Sequence, residues 1–329
     1  MQNHAQLPTP GESAPQLAID AVGLAKSFGG QHALTGLDLA VPEGSVTALI
    51  GPNGSGKTTT IRILSTLLAP DAGRVTVFGH DVVAEPEAVR AVIGVTGQFS
   101  AVDKFLTGRE NLALMAGLHH LRRAVALERT ARNLERFELT EAADRPVISY
   151  SGGMRRRLDL AMTLMGEPRI VFLDEPTTGL DPGARRDLWQ YLQILRDEER
   201  VTVLVTTHLM EEAERCDRLA IYANGSVVGL GTPAELKSEI GGDVIMLESH
   251  EPDSLAQRIE QRFGLHPTVL DHRVRLEIES GHRFVTDVVE AFPGEIEGVS
   301  VHKPSLEDVF IRRTGHRFWT EENDGDTKE

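Results

Sequence analysis

From residue 17 to about 235, short apolar runs alternate with stretches of helical periodicity, which predicts an α/β domain whose main strands are mostly parallel. The strongest runs are Val46–Ile50, Ile170–Asp174 and 202–206. Ligands collect at the carboxyl ends of such strands in open α/β sheets, so Gly51, Asp174 and His208 are expected along one edge. Residues 101–149 show helical periodicity without a good strand, and with the helical run 155–165 they predict a helical subdomain over about 101–165. Helices are also expected over 59–68 and 211–216. Asn224-Gly225, between Arg218–Ala223 and 226–230, is a hairpin signal. Thr232-Pro233-Ala234-Glu235 then reads as a helix start with an N-cap, a proline at the first helical position and a capping acid.

Beyond about residue 240 the pattern changes. It predicts strand 244–248, helix Pro252–Phe263, strand Thr268–Leu270, strand 274–278, helix 284–292 and strand 296–301. This β-α-β-β-α-β order is that of a split-βαβ, ferredoxin-like unit; the competing reading is a few elements packed onto the main domain. A last helix is expected from Ser305, with Asp308 completing a capping box. The expected division is therefore 17–240 for the main domain and 241–315 for a small α+β domain. Residues 1–16, rich in Pro, Gly and Ser, read as a disordered lead-in, and 316–329 as a solvated acidic tail.

The chemistry concentrates in Gly51-Pro52-Asn53-Gly54-Ser55-Gly56-Lys57-Thr58-Thr59, set between an apolar strand and a helix. Its glycines let the chain turn tightly with N–H groups facing inward, and the helix start adds partial positive charge, so a polyphosphate such as ATP is favoured there. Lys57 is placed to reach the β/γ-phosphates and Thr58 to ligate Mg²⁺. A plain glycine turn explains neither the Lys-Thr pair nor its place at a helix start. Asp174 and Glu175 close a second apolar strand. Asp174 is positioned to hold Mg²⁺ through water, and Glu175 to polarise the water that attacks the γ-phosphate. Ser151-Gly152-Gly153-Met154, ahead of a helical run, is a second anion-binding helix start by the same physics, though a weak signal on its own. Arg155, Arg156 and Arg157 read as solvated or paired with acids rather than as a nucleic-acid grip.

Composition narrows the alternatives. A chain of 329 residues has room for two domains with buried cores. A formal net charge of −15 argues against a sequence-independent hold on nucleic acid, so no nucleic-acid partner is expected. Cys216, the single cysteine, excludes an intrachain disulfide and a cysteine zinc site, and reads as an inert, partly buried thiol. No apolar run approaches the roughly 18–20 residues that span a bilayer, and no apolar signal core opens the chain, so a cytoplasmic protein that meets the membrane through a partner is expected.

Gly51 to Thr59, Gln98, Ser151-Gly152-Gly153-Met154, Asp174-Glu175, Gly179-Leu180-Asp181 and His208, in that order, resemble the ATP-binding subunit of an ATP-binding-cassette (ABC) transporter over about residues 17–240. The resemblance implies a P-loop core with a β subdomain and a helical subdomain. It also implies a head-to-tail dimer in which Ser151, Gly152 and Gly153 of one copy close over ATP held by the P-loop of the other. By the same resemblance Gln98 contacts Mg²⁺ and the attacking water, Asp181 lies at the dimer seam, His208 bonds the γ-phosphate and Phe28 stacks on adenine. A structural histidine and a core phenylalanine are the competing readings of the last two. Tyr150 stands where leucine is usual and Met154 where glutamine is usual. That variant, the three arginines and the ending Leu306-Glu307-Asp308-Val309-Phe310 resemble the daunorubicin/doxorubicin-resistance type of drug-exporter ATPase. The implied function is export of a hydrophobic drug or antibiotic through a separate integral-membrane permease, with the chain on the cytoplasmic face of the membrane. The alternatives are an importer, a lipid or polysaccharide exporter, or a soluble ABC ATPase acting on DNA or ribosomes. The last would call for long heptad repeats or a second P-loop, and neither is in the sequence.

Overall fold

The computed structural model describes residues 16–97, 101–315 and 318. The expected lead-in before residue 16, the acidic tail apart from Phe318, and Gln98 lie outside the described residues. The chain divides into two compact units, one within Met1–Ala48, Gly56–Thr206 and Asn224–Ser226, the other within Leu49–Ser55, Thr207–Ala223 and Val227–Glu329.

In the first unit the strands Val46–Ile50, Thr202–Thr207, Ile170–Asp174 and Ile93–Thr96 neighbour one another in that order. Ile170–Asp174 is parallel to both of its neighbours, and its register sets Asp174 opposite Thr206. Every residue of Val46–Ile50, Ile170–Asp174 and Thr202–Thr207 is buried, as parallel strands covered on both faces require. The helix after the phosphate loop spans Lys57–Leu64, shorter than the expected 59–68. It stops because Thr66 takes a left-handed φ of 63°, and the N–H groups of Leu67 and Leu68 fold back onto Arg62 O.

A second sheet in this unit answers to the β subdomain that the resemblance implied, although its strands were not read one by one from the pattern. Leu17–Phe28 pairs antiparallel with Gln31–Pro42 and with Ala72–Val77, and His80–Asp81 completes the sheet. Its alternating pattern is hidden by an irregularity at Gly23, whose N–H donates to Asp38 Oδ1 at 2.7 Å. The helical section holds two α-helices, Gly108–Leu118 and Arg123–Arg136. Thr107 and Glu110 cap the first reciprocally, and Arg109 grips Asp144 through two hydrogen bonds of 2.7 and 3.1 Å.

Strands Arg218–Ala223 and Ser226–Gly231 are joined through Asn224 and Gly225, both at positive φ, as a two-residue hairpin turn requires. The expected helix 211–216 is the single turn Met210–Ala213, and Cys216 lies beyond it, buried, with its thiol directed at Glu212 O. Strands Asp243–Glu248, Thr268–Leu270, Arg273–Ile278 and Gly298–His302 form a four-stranded antiparallel sheet with the first strand between the third and the fourth. Helices Pro252–Phe263 and Gly281–Ala291 supply the crossovers, which is the split-βαβ arrangement. Ile245, Leu247, Leu255, Ile259, Val274, Leu276 and Val288 form its core. Among the described residues no helix is long and apolar enough to cross a membrane.

Asp308 organises the end of this unit. It caps the helix Leu306–Thr314 reciprocally with Ser305, whose hydroxyl donates to Asp308 Oδ2 at 2.6 Å. Arg275 donates to Oδ1 at 3.2 Å, and both residues are buried. Burial alone would raise the Asp308 pKa; the Ser305 hydroxyl and N–H, with the charges of His302 and Arg275, outweigh it and hold the carboxyl below the ordinary aspartate range. A depressed folded-state pKa contributes stability above the unfolded value and loses it as pH falls through the folded value. Asp308→Asn is therefore expected to destabilise the chain at neutral pH by about 1.5–3 kcal/mol. In urea titrations over a pH series, the gap from wild type should narrow below the ordinary aspartate range; a constant gap would contradict the assignment.

Candidate functional site

The helix Lys57–Leu64 begins at Gly56, which sits at φ 106° with no side-chain cap. A Cβ at Gly56 would come within 2.8 Å of Ala33 O, so the position needs glycine for space as well as for φ. In the preceding loop, a Cβ at Gly51 would come within 2.6 Å of Tyr222 O, so the loop leaves its strand by a close backbone approach. Ser55 N–H turns back to Pro52 O at 3.3 Å. Ser55 Oγ is buried with no hydrogen-bond partner among the described residues.

Within the first unit, Lys57, Thr58, Asp174 and Glu175 come together. Thr58 Oγ1 lies 3.3 Å from Asp174 Oδ1. Lys57 is buried, and burial pushes its pKa down, with Glu175 and then Asp174 opposing that shift. A cation partly stripped of water beside two carboxylates gains from an added polyanion. Glu175 is half-buried and adopts φ 46°, a left-handed conformation that costs a non-glycine residue about 1–3 kcal/mol. It also precedes Pro176, which restricts its backbone further. The conformation is fixed by Glu175 N–H donating to Thr206 Oγ1 at 2.8 Å, while Thr206 Oγ1 donates to Asp174 Oδ1 at 2.6 Å. Thr178 Oγ1 reaches Glu175 Oε2 at 3.3 Å.

The second helix start, Gly152–Thr163, is capped by Ser151, whose Oγ accepts Met154 N–H at 3.2 Å. Ser151 and Gly152 are exposed, and the space where a Gly152 side chain would stand is open. Gly153 packs against the helix Pro182–Glu199, where a Cβ would meet Ala184 Cβ at 3.0 Å. Asp181 caps that helix through Gly183 and Ala184 N–H groups at 2.9 and 3.0 Å, and these hold its carboxyl below the ordinary range, Ala184 foremost.

The ABC transporter family model matches residues 34–178, and the C-terminal domain model of DrrA1-3-like ATP-binding proteins matches 231–314. The chain is 44% identical over 312 residues to the daunorubicin/doxorubicin resistance ATP-binding protein DrrA of Streptomyces peucetius, covering 92% of this chain and 94% of that protein. The chain belongs to the ABC transporter ATP-binding proteins. It is also 38% identical to the Nod factor export ATP-binding protein I of Rhizobium sp. strain N33, over 92% of this chain and 99% of that one. Among solved structures, a dimeric ATP-binding cassette in a post-hydrolysis state with ADP and phosphate superposes with a TM-score of 0.59 and 26% identity, over 65% of this chain and 98% of that one.

One side chain of this ABC ATPase that shapes the site was not picked out by sequence pattern, and another was named only as a departure from the usual leucine. Thr206 is one more buried strand residue until its hydroxyl is seen between the two acids. Tyr150, the departure from leucine, is buried; its hydroxyl donates to Ala142 O at 2.7 Å and occupies the space where a Gly108 side chain would stand. Tyrosine before the signature thus requires the glycine that starts Gly108–Leu118. Phe28 is 48% exposed, so core packing does not account for it, and Lys26 Nζ lies 5.7 Å from its ring centroid. His208 follows Thr202–Thr207 and is half-buried. Thr206→Val keeps the side-chain shape and removes both hydrogen bonds. It is expected to cost about 1–3 kcal/mol in urea denaturation and to slow ATP hydrolysis about tenfold, because Glu175 loses its backbone anchor. Wild-type turnover in a folded Thr206→Val protein would show that the hydroxyl does not position the acids.

Proposed function

We propose that the chain is the ATPase of a drug exporter, in which two copies close head to tail over two MgATP molecules and drive a separate permease. The observation that carries the reading is the similarity to a daunorubicin/doxorubicin resistance protein along nearly its full length, C-terminal domain included. The donor chemistry fits the nucleotide. Ser55 Oγ lacks an acceptor that a phosphate oxygen would supply. The Thr58 hydroxyl and the Asp174 carboxylate, whose oxygens lie 3.3 Å apart, are hard oxygen donors of the kind Mg²⁺ takes, Thr58 directly and Asp174 through water. Those two residues would hold the ion, which neutralises phosphate charge when bound.

In this reading Gly51 to Thr59 cradle the phosphates, with Lys57 on the β/γ-phosphates. Asp174 would hold Mg²⁺ through water, Glu175 would polarise the attacking water and take its proton, Gln98 would contact Mg²⁺ and that water, and His208 would bond the γ-phosphate. Phe28 stacks on adenine. Ser151, Gly152 and Gly153 close over the partner copy's nucleotide and Asp181 lines the seam. The chain would lie on the cytoplasmic face of the membrane through its permease, with an ATPase domain over 17–240 and a regulatory or dimer-supporting module over 241–315. The similarity to a Nod factor export protein supports a second reading, the same engine exporting a compound other than a drug.

Glu175→Gln keeps the shape of the site and removes the proton acceptor, so turnover is expected to fall by about 10² or more while MgATP binding persists. Lys57→Ala should instead weaken nucleotide binding. Co-expressed with its permease, the wild type should lower intracellular drug and Glu175→Gln should not, at equal protein level. Uptake of a nutrient, with no change in any drug tested, would overturn the exporter reading while leaving the ATPase reading standing.

Assembly is tested separately. MgATP should convert the Glu175→Gln protein to a dimer in analytical ultracentrifugation, and adding Ser151→Arg should keep it monomeric, because a bulky cation replaces the small hydroxyl in the seam. A monomer at saturating MgATP in the Glu175→Gln protein would rule out the shared site.

A further inference from the structure

The helix Gly152–Thr163 carries a guanidinium that the hydrolysis scheme leaves unused. The Arg156 side chain is 11% exposed, and its partner Asp159, one turn on, is 4% exposed. Nη1 donates to Asp159 Oδ2 at 3.2 Å and to Gly97 O, at the exit of the strand Ile93–Thr96, at 3.4 Å. Nε and Nη2 are buried and have no hydrogen-bond partner among the described residues. A buried ion pair with unmet donors is a poor device for stability alone, since an apolar pair of the same size is often as stable or more so. Its placement gives it another use. Arg156, Glu175 and Thr178 line one 290 Å³ cavity together with Lys104. Burial lowers the Arg156 pKa, and the opposing attraction comes from Asp159 and then from Asp174. The far end of the same helix is tied to the same strand, through Thr163 Oγ1 and Thr96 Oγ1 at 2.8 Å.

We propose that Arg156 is a positioning residue for ATP hydrolysis: its buried cation, held by Asp159, steadies the Asp174-Glu175 carboxylates and locks the helix that begins at Ser151 to Gly97. Ser151 serves the partner copy's nucleotide and Glu175 its own, so Arg156 ties the two half-sites of one chain together. The inference rests on Glu175 being the base.

The test uses the full chain and steady-state MgATP hydrolysis. Arg156→Met with Asp159→Asn removes both charges and leaves no unpaired ion. It is expected to melt near the wild-type temperature and to bind a fluorescent ATP analogue within about threefold, yet to lose kcat about tenfold. Arg156→Lys, which keeps the cation, should stay within about threefold of wild type in kcat, while Arg156→Gln should not. A neutral pair with wild-type kcat, or a proportional loss of analogue binding and kcat, overturns the proposal. If the neutral pair does not fold, equal kcat for the lysine and glutamine variants overturns it instead. Glu175→Gln is run in parallel. If it collapses while the Arg156 variants turn over normally, only this inference fails; if it hydrolyses normally, the base assignment fails and takes this inference with it.

Discussion

The site turns on one hydroxyl. Parallel pairing sets Thr206 opposite Asp174, and from there its oxygen meets the Asp174 carboxylate and the backbone N–H of Glu175 at once. The second contact matters more than its length suggests. Glu175 stands in a left-handed conformation immediately before a proline, which an unrestrained chain would leave. Holding its N–H on a buried side chain converts a costly backbone geometry into a fixed direction for its carboxylate. Thr58 approaches the Asp174 oxygen that Thr206 already engages, so the helix start after the phosphate loop and the acidic strand end share one node. A carboxylate that keeps its place before the ligand arrives does not have to be reorganised during the reaction.

The second helix start is positioned by different means. No strand leads into it. Instead Tyr150 is bolted by its hydroxyl to Ala142, and Gly153 presses on Ala184 of the helix that Asp181 caps. Both contacts use glycine at the point of closest approach, Gly108 in one case and Gly153 in the other. Ser151 and Gly152 are left exposed at the end of a rigidly seated helix, which is the arrangement a surface needs if it is to close on a ligand held by another molecule.

What the sequence disclosed follows the range of the interactions involved. The phosphate loop, the buried parallel strands and the capping boxes at Thr232 and Ser305 are local, and each was legible because its residues are neighbours in the chain. The split-βαβ order of the C-terminal module was legible from the alternation of its periods, and its helix Pro252–Phe263 and strand Thr268–Leu270 match residue for residue. The antiparallel sheet of the first unit was not, because an irregularity at Gly23 breaks the period of two on which a strand is recognised. Thr206 was missed for a further reason: it acts through Asp174, 32 residues away, and no spacing rule connects them. Arg156 was read as solvated or paired with an acid, and its pair with Asp159 is the i,i+3 spacing of one helix, but its reach to Gly97 O, 59 residues back, was not legible.

The Asp308 network differs from the Thr206 node in what it joins. Arg275 comes from a strand, Asp308 from the last helix, and Glu277 passes the chain of charges on to Arg312 at 2.8 Å. Arg312 then donates to Glu239 O, and Arg313 pairs with the Glu239 carboxylate, immediately after the helix Pro233–Ser238. The last helix is thereby fastened to the segment that precedes the split-βαβ sheet, closing a loop of more than seventy residues with ion pairs that flank its buried apolar residues Leu306, Val309 and Phe310. Exposed pairs of this kind contribute little stability individually, so their value lies in direction. They fix where the helix Leu306–Thr314 lies relative to Glu239, just after the helix Pro233–Ser238.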